Sequence, residues 1–567
     1  MRAGVVALSV LLGGAFVARA TDPSPPPLPE APFRFSVLMD QWRALPDPSA
    51  AVRFPGGITR DDTIEHVTLK ETIALALENN PGVAASRLEP TRVSADVLGT
   101  QAQFDPILGG ETSRSEAEIP NASSLAATTT TVTRERQYDV YLTKLFRTGT
   151  QFRVDFLNDE FSSNARFVQL SPEYSPELRF SLVQPLLRDF GWDFSYTIVR
   201  AAERLADASV YQYEADLADF ILTVIDAYWN VVGARENLDV RQEAHALAER
   251  TVEENEARVN VGLLAPVAVL EAKAQAAARE TDVIVADNLL RTSRQRLAQL
   301  AFFRPNGTVL PRMLEPSEDI RVEGIHIDER AALAVAFVER PEILASERGV
   351  EARQFEERVT GNRLLPRFDI VGSYGLFGLS GEDQPALCSD GAGGVTPCPP
   401  SPFVGSRSRA YDRLVSGDYD QYTAGLRLQI PLANAEARAD HARSRVALDQ
   451  AELRHRQLLS NVTLEVRDTS ADLEATQQAL VTSRVARELA EENLRNQEKR
   501  HEVGMATTKD LLDFQTQLTE ARFTEVQARV RHAIAVARWR RAQGQLLSEY
   551  QVLVRHPQRS TPWFARF

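Results

Sequence analysis

Few of the chain's 567 residues are of types that do covalent or metal chemistry. The only two cysteines, Cys388 and Cys398, share one glycine- and proline-rich loop, Cys-Ser-Asp-Gly-Ala-Gly-Gly-Val-Thr-Pro-Cys. In an oxidising compartment such a pair forms a local disulfide. The competing readings are two free thiols with no shared role, and a zinc site for which two ligands are too few. None of the histidines sits in an HExxH arrangement, and neither a G-x-S-x-G elbow nor a phosphate-binding glycine loop occurs. These absences make an exported enzyme much the weaker reading. One acidic pair, Asp510 and Asp513 in Lys-Asp-Leu-Leu-Asp, follows Thr507. Read locally, Thr507 is an N-cap, Asp510 completes a capping box, and Asp513 is a first-turn acid favoured by the helix dipole.

These residues sit among elements with a repeating order. Thr-Leu-Lys-Glu-Thr-Ile-Ala-Leu-Ala-Leu-Glu-Asn-Asn-Pro-Gly, ending at Gly82, has helical periodicity that Asn80-Pro81 stops or breaks. The same construction returns before Arg340-Pro341. Three further anchors recur in order: Phe104-Asp105 with Phe368-Asp369, a strand ending at Pro185 with one ending at Pro431, and Arg258-Val-Asn-Val-Gly262 with Arg500-His-Glu-Val-Gly504. Ordered anchors at nearly constant separation identify an internal duplication. The repeats are placed at 66–320 and 321–548, with a tail at 549–567.

Alternation predicts strands at 138–146, 150–158, 178–184 and 422–430. In the last, Tyr422, Ala424, Leu426, Leu428 and Ile430 share a face opposite Arg427 and Gln429. Such a strand fits a barrel wall between lipid and water. It equally fits a half-buried strand of a soluble sheet. Pro185 to Gly262 and Pro431 to Gly504 are free of proline in between. Leu217, Ile221, Val224, Tyr228 and Val231 follow the 4-3-4-3 spacing of a coiled-coil seam. Helices of ~60 to 65 residues would reach roughly 90 to 100 Å, too long for a globule. Returning helices are expected at about 266–302 and 508–547, after turns at Gly262 and Gly504, with Pro266 at a first helical position.

The apolar run from Val5 to Val17, followed by Ala18-Arg19-Ala20, reads as a signal peptide over 1–20. A proline-rich arm follows over 21–65. No later apolar run of about twenty residues predicts a membrane-spanning helix, so a membrane crossing would need a closed β-barrel. The net charge of −14, with both signs mixed along the chain, argues against nucleic-acid binding.

The duplicated pattern resembles the TolC-like outer membrane efflux protein family. The matching pieces are Ala-Leu-Ala-Leu-Glu-Asn-Asn-Pro81, Gln-Pro-Leu-Leu187, Arg-Val-Asn-Val-Gly262, and the run from Arg500 through Thr507 to Gln515. The resemblance implies a mixed α/β membrane protein: an internally duplicated protomer of a trimeric outer membrane β-barrel, continued by a long periplasmic coiled-coil barrel. It implies four strands from each copy, contact with outer membrane lipid, and helices extending into the periplasm. It also implies an exit duct of a tripartite pump or type I secretion system that performs no catalysis and needs no organic cofactor. The implied partners are a periplasmic adaptor and an inner membrane RND or ABC transporter. The alternative is a coiled-coil scaffold of the cell envelope that conducts nothing.

The first half has a longer strand region than the second, expected to be an extra hairpin or an extracellular elaboration. The segment from about 378 to 418 is the expected extracellular loop. The resemblance places Asp510 and Asp513 at a periplasmic gate, with His501 and Ala506 where family members hold the mouth closed by an aromatic residue and an arginine. Ala506 has no side chain for such a latch, and His501 reads first as an ordinary helix-surface histidine, with a pH-responsive role as the alternative.

Overall fold

A computed structural model of the chain describes residues 65–122, 129–191, 194–302, 314–320, 324–389 and 394–554. The expected signal peptide and nearly all of the arm lie outside them, as does the tail beyond Val554. Among the described residues β1 (Glu65–Val67) leads into α1 (Leu69–Asn79) and α2 (Pro81–Gln101). The α1 start is a capping box: Glu71 accepts from the Thr68 N–H at 2.8 Å, and Thr68 accepts from the Glu71 N–H at 3.3 Å. Asn80 ends α1 and begins α2, its side-chain oxygen accepting from the Gly82 N–H at 2.8 Å while Pro81 takes the first helical position. Asn80-Pro81 is therefore a break followed at once by a restart.

The strand region of the first half forms β2 (Ile107–Pro120), β3 (Thr130–Leu145), β4 (Gln151–Ser163) and β5 (Leu170–Pro185). Next come α3 (Thr197–Asn260), α4 (Pro266–Phe302) and β6 (Leu314–Pro316), which pairs in parallel with β1. The second half repeats the order with α5 (Glu329–Glu339), α6 (Pro341–Asn362) and β7 (Arg367–Phe377). Its loop region holds β8 (Ser380–Asp383), β9 (Leu387–Ser389), β10 (Val395–Pro397) and α7 (Arg407–Ser416). Then follow β11 (Asp420–Gln429), α8 (Ala435–Glu502), α9 (Thr508–Ala542) and α10 (Leu546–Glu549).

One antiparallel sheet runs β11-β7-β5-β4-β3-β2, with β8 added beside the upper part of β5. The surplus of the first half is thus a hairpin, β3–β4, held in the same sheet between β2 and β5. The protomer's sheet has six long strands where the resemblance implied four. The registers put even-numbered residues of all six strands on one face and odd-numbered ones on the other. The expected loop 378–418 is built of β8, the β9–β10 hairpin closed by a Cys388–Cys398 disulfide, and α7, whose Ala410 and Leu414 are buried.

The seam residues Leu217, Ile221, Val224, Tyr228 and Val231 are all buried in the main core. A stretch of α3 matches a membrane span in length and composition, unlike the expectation, yet its apolar residues are those packed in this seam. The Tyr228 hydroxyl donates to the Val67 carbonyl at 3.1 Å, which clamps β1 to the helices, and burial pushes the phenol up to about 12. After Leu546 the chain packs back on the same core through Leu547, Tyr550, Val552 and Val554.

Candidate functional site

Two surfaces carry the arrangement that a conduit needs: the odd-numbered face of the sheet and the far tips of the helices. On the sheet, Arg153 meets Asp155 at 2.7 Å, Arg179 meets Glu177 at 2.6 Å and Arg367 meets Asp369 at 2.7 Å. Each pair lies two residues apart on one strand, hence on one face. Arg153 also stacks over the Tyr141 ring, another odd position. The even-numbered face carries Leu142, Val154, Phe180 and Tyr374 side by side. Charge on one face and apolar groups on the other is what a wall between water and hydrocarbon requires.

At the tips, both repeats turn by the same device. Gly262 has φ +81° and Gly504 has φ +76°, conformations open to glycine and strained for other residues. In the first, the Leu263 N–H donates to the Arg258 carbonyl at 2.9 Å and the Gly262 N–H to Val259 at 2.9 Å. In the second, Met505 donates to Arg500 at 2.8 Å and Gly504 to His501 at 3.1 Å. These are paired Schellman closures that satisfy the last carbonyls of α3 and α8. Each leaves apolar side chains exposed, Val261 and Leu263 on one tip, Val503 and Met505 on the other.

The return helices start differently. Pro266 opens α4, whose first turn holds no acid. Thr507 caps α9: its hydroxyl accepts from the Asp510 N–H at 3.2 Å, and Asp510 accepts from the Thr507 hydroxyl at 2.7 Å and N–H at 3.0 Å. The hydroxyl above all, then the N–H, hold the Asp510 carboxyl below its usual range. Asp510 and Asp513 are both exposed, while Leu511 and Leu518 between and beyond them pack against Leu494. The two carboxylates therefore share the outer surface of α9 near its start.

His501 is not a surface residue. It is 6% exposed, with Arg258 Nη1 at 2.8 Å from Nε2 and the Ala506 carbonyl at 3.1 Å from Nδ1. A guanidinium only donates, so Nε2 accepts and Nδ1 carries the proton that Ala506 receives. Ala506 contributes through its backbone what its side chain lacks. Arg258, unremarked in the sequence beyond its repeat motif, is the residue that ties the two tips together. Nearby, burial first and then the charges of Glu502 and Glu254 push the Glu498 carboxyl up. Deeper in, Gln515 donates to Thr251 at 3.2 Å and Arg279 to Thr516 at 2.6 Å, joining α9 to α3 and α4.

A second charged cluster lies part-way along the long helices, around the buried Arg340. Arg340 bonds Glu342 at 3.1 Å and Glu465 at 2.7 Å, and Arg541 bonds Glu342 at 2.7 Å, Glu465 at 2.8 Å and Asp219 at 2.6 Å. Among the described residues no three His, Cys, Asp or Glu side chains are grouped to hold a metal.

The pattern described as "Outer membrane efflux protein" matches residues 195–301 and 333–545, more than half of the chain. The outer membrane protein TolC of Vibrio cholerae is 24% identical over 376 residues, 63% of this chain and 75% of that one. TolC of Escherichia coli is 24% identical over 346 residues, 59% of this chain and 62% of its own length. The Campylobacter jejuni CmeC outer membrane channel superposes with a TM-score of 0.59 at 16% identity, over 87% of this chain and 94% of that one.

Proposed function

This chain belongs to the outer membrane efflux protein family, and from that premise we propose that three copies close into one export duct that an adaptor joins to an inner membrane pump. The protein sits in the outer membrane with its long helices in the periplasm, and it conducts rather than catalyses. The observation that carries this reading is the two-faced sheet, charged on odd positions and apolar on even ones, continued by helices of 64 and 68 residues. A single copy leaves the outer edges of β2 and β11 unpaired, which lipid does not tolerate, so neighbouring copies supply the closure. Cyclic symmetry ends the assembly. A non-conducting scaffold gives no reason for such a sheet.

The exposed Val261 and Leu263, with Val503 and Met505, form matching apolar tips suited to an adaptor's helical hairpins. Asp510 and Asp513 are the proposed gate lining. Gathered around a threefold axis they would make a ring that attracts cations and repels anions. Capping does not compete with that role, since the cap engages one Asp510 oxygen, Oδ2.

The test is outer membrane fractionation with heat-modifiable trimer migration, followed by single-channel recording. Divalent or trivalent cations added on the periplasmic side should block the wild-type current. Replacing Asp510 and Asp513 by alanine should weaken that block about tenfold or more, in keeping with the loss of ~1–2 kcal/mol of close electrostatic attraction. An unchanged block rejects the aspartate ring and leaves the duct standing.

A further inference from the structure

The β3–β4 hairpin adds a strand pair to a sheet that is otherwise two strands per half. Its outward residues decide whether it belongs to the membrane wall. The registers run Leu108, Leu142, Val154, Phe180, Tyr374 and Tyr422 in one unbroken line across all six strands. All are apolar and all are even-numbered. The line passes through the hairpin without interruption.

The apolar run on each strand also moves in a regular way. On β3 it is Tyr138, Val140 and Leu142, centred on Val140. The registers carry Val140 through Phe156, Leu178 and Leu376 to Asp420 on β11. The apolar run there spans Tyr422 to Ile430 and is centred on Leu426. The centre has moved about six residues over four strand steps, roughly 5 Å along the strand per ~4.8 Å of sheet. That drift corresponds to strands tilted about 45° from the membrane normal, the tilt of outer membrane barrels. A hairpin lying outside the bilayer has no reason to keep step with it.

The ends of the run are bounded as well. Above it, on the same face, Arg136 pairs with Glu160 at 3.2 Å, and Glu160 also pairs with Arg407 of α7. Tyr411 of α7 stacks on Phe156 and bonds Asn158 at 2.9 Å, so α7 lies across the upper limit. Below it come Lys144 and the turn Arg147–Thr150, where Gly149 abuts Asp189 and Pro185 at the start of the helices. Long basic side chains at such limits reach the headgroups.

From this juxtaposition we propose that β3 and β4 span the bilayer as part of the wall. Each copy then gives six strands, and β11 of one copy joins β2 of the next. Resting on the threefold reading above, the shared barrel has three times six strands. Because diameter grows roughly in proportion to strand number, it is about 1.5 times as wide as a barrel built from four per copy.

The test uses full-length protein in proteoliposomes, with single cysteines in a background lacking Cys388 and Cys398. Val140→Cys, on the outward face, should react about tenfold more slowly with a membrane-impermeant maleimide than Asp139→Cys on the lumen side. A fluorophore at Val140→Cys should be quenched by lipid-borne nitroxide. Paired cysteines scanned along Gly109–Ser113 and Thr423–Arg427 should yield covalent dimers and trimers. Rapid labelling of Val140→Cys without nitroxide quenching, in a protein that still migrates as a conducting trimer, overturns the six-strand wall and spares the duct. A protein that is monomeric in the membrane overturns both.

Discussion

Arg258 and His501 sit 243 positions apart in the chain yet make a side-chain hydrogen bond between the extreme ends of α3 and α8. The geometry assigns every polar atom of the imidazole, with Arg258 donating to Nε2 and Nδ1–H donating to Ala506. Burial makes that bond matter, because an unsatisfied ring nitrogen or guanidinium at the same place would lose water as well. Replacing His501 by alanine is expected to release the turn before Thr507 and cost roughly 1–3 kcal/mol of local stability. Hydrogen exchange should then rise over residues 499–510 while the α3 seam near Tyr228 stays protected. Equal exchange in variant and wild type would show that the tip is held by other contacts. Asp510 and Asp513 should keep their places in this variant, because the Thr507 cap that orders Asp510 is independent of the imidazole.

At the scale of elements, the helices and their turns are legible in the sequence because local rules decide them. A Thr507-x-x-Asp510 box, a proline at 266 and glycines at 262 and 504 each act within a few residues, and they set α4 and α9 where expected. The seam at Leu217 to Val231 is legible for the same reason, its spacing being a property of one helix. The sheet is harder to read. Outward positions of β2 run Leu108, Gly110, Thr112 and Arg114, with too little apolar alternation to announce a strand, and only its pairing to β3 makes it one. Placement of the hairpin depends on partners in β5 and β2 that lie tens of residues away. The burial of His501 is invisible until Arg258 is brought beside it. One consequence of the tip geometry is specific. Nothing lies within 4 Å of a side chain added at Gly262 or Gly504, so Gly→Ala there meets backbone strain alone, about 1–2 kcal/mol. Both variants should fold, show faster exchange only at the altered tip, and bind an adaptor more weakly. A loss of trimer from either would mean the turns do more than close the helices.

Across the whole molecule, the two halves repeat a scaffold but hold it together differently part-way along the long helices, where a shorter helix breaks and restarts. In the first half the helix restart uses a neutral amide, with Asn80 donating to the Leu300 carbonyl at 3.2 Å. In the second half the corresponding position is Arg340, 3% exposed, and the charges around it bind α6, α8 and α9 and reach Asp219 of α3. Burial pushes the Glu342 carboxyl up, but the hydrogen bonds and charge of Arg340, with the charge of Arg541, outweigh it and hold Glu342 below its ordinary value. A carboxylate depressed in the folded state contributes stability that is present above its unfolded value and lost as pH falls through the folded one. The ordinary value is 4.5, so this contribution should be intact at neutral pH, begin to fall near that point and disappear only below the depressed folded value. Glu342→Gln removes the charge while keeping the shape. It is expected to cost roughly 1–3 kcal/mol at pH 7, less than a fully orphaned buried charge, since Glu465 still pairs with Arg340. Below the titration the variant and wild type should converge. Urea denaturation of the detergent-solubilised protein at pH 7 and over a series of falling pH measures both. A difference that stays unchanged across the whole series would show that Glu342 acts through packing rather than charge. Convergence would assign the junction between the duplicated halves to a charged cluster whose two arginines come from the second repeat and reach Asp219 of the first.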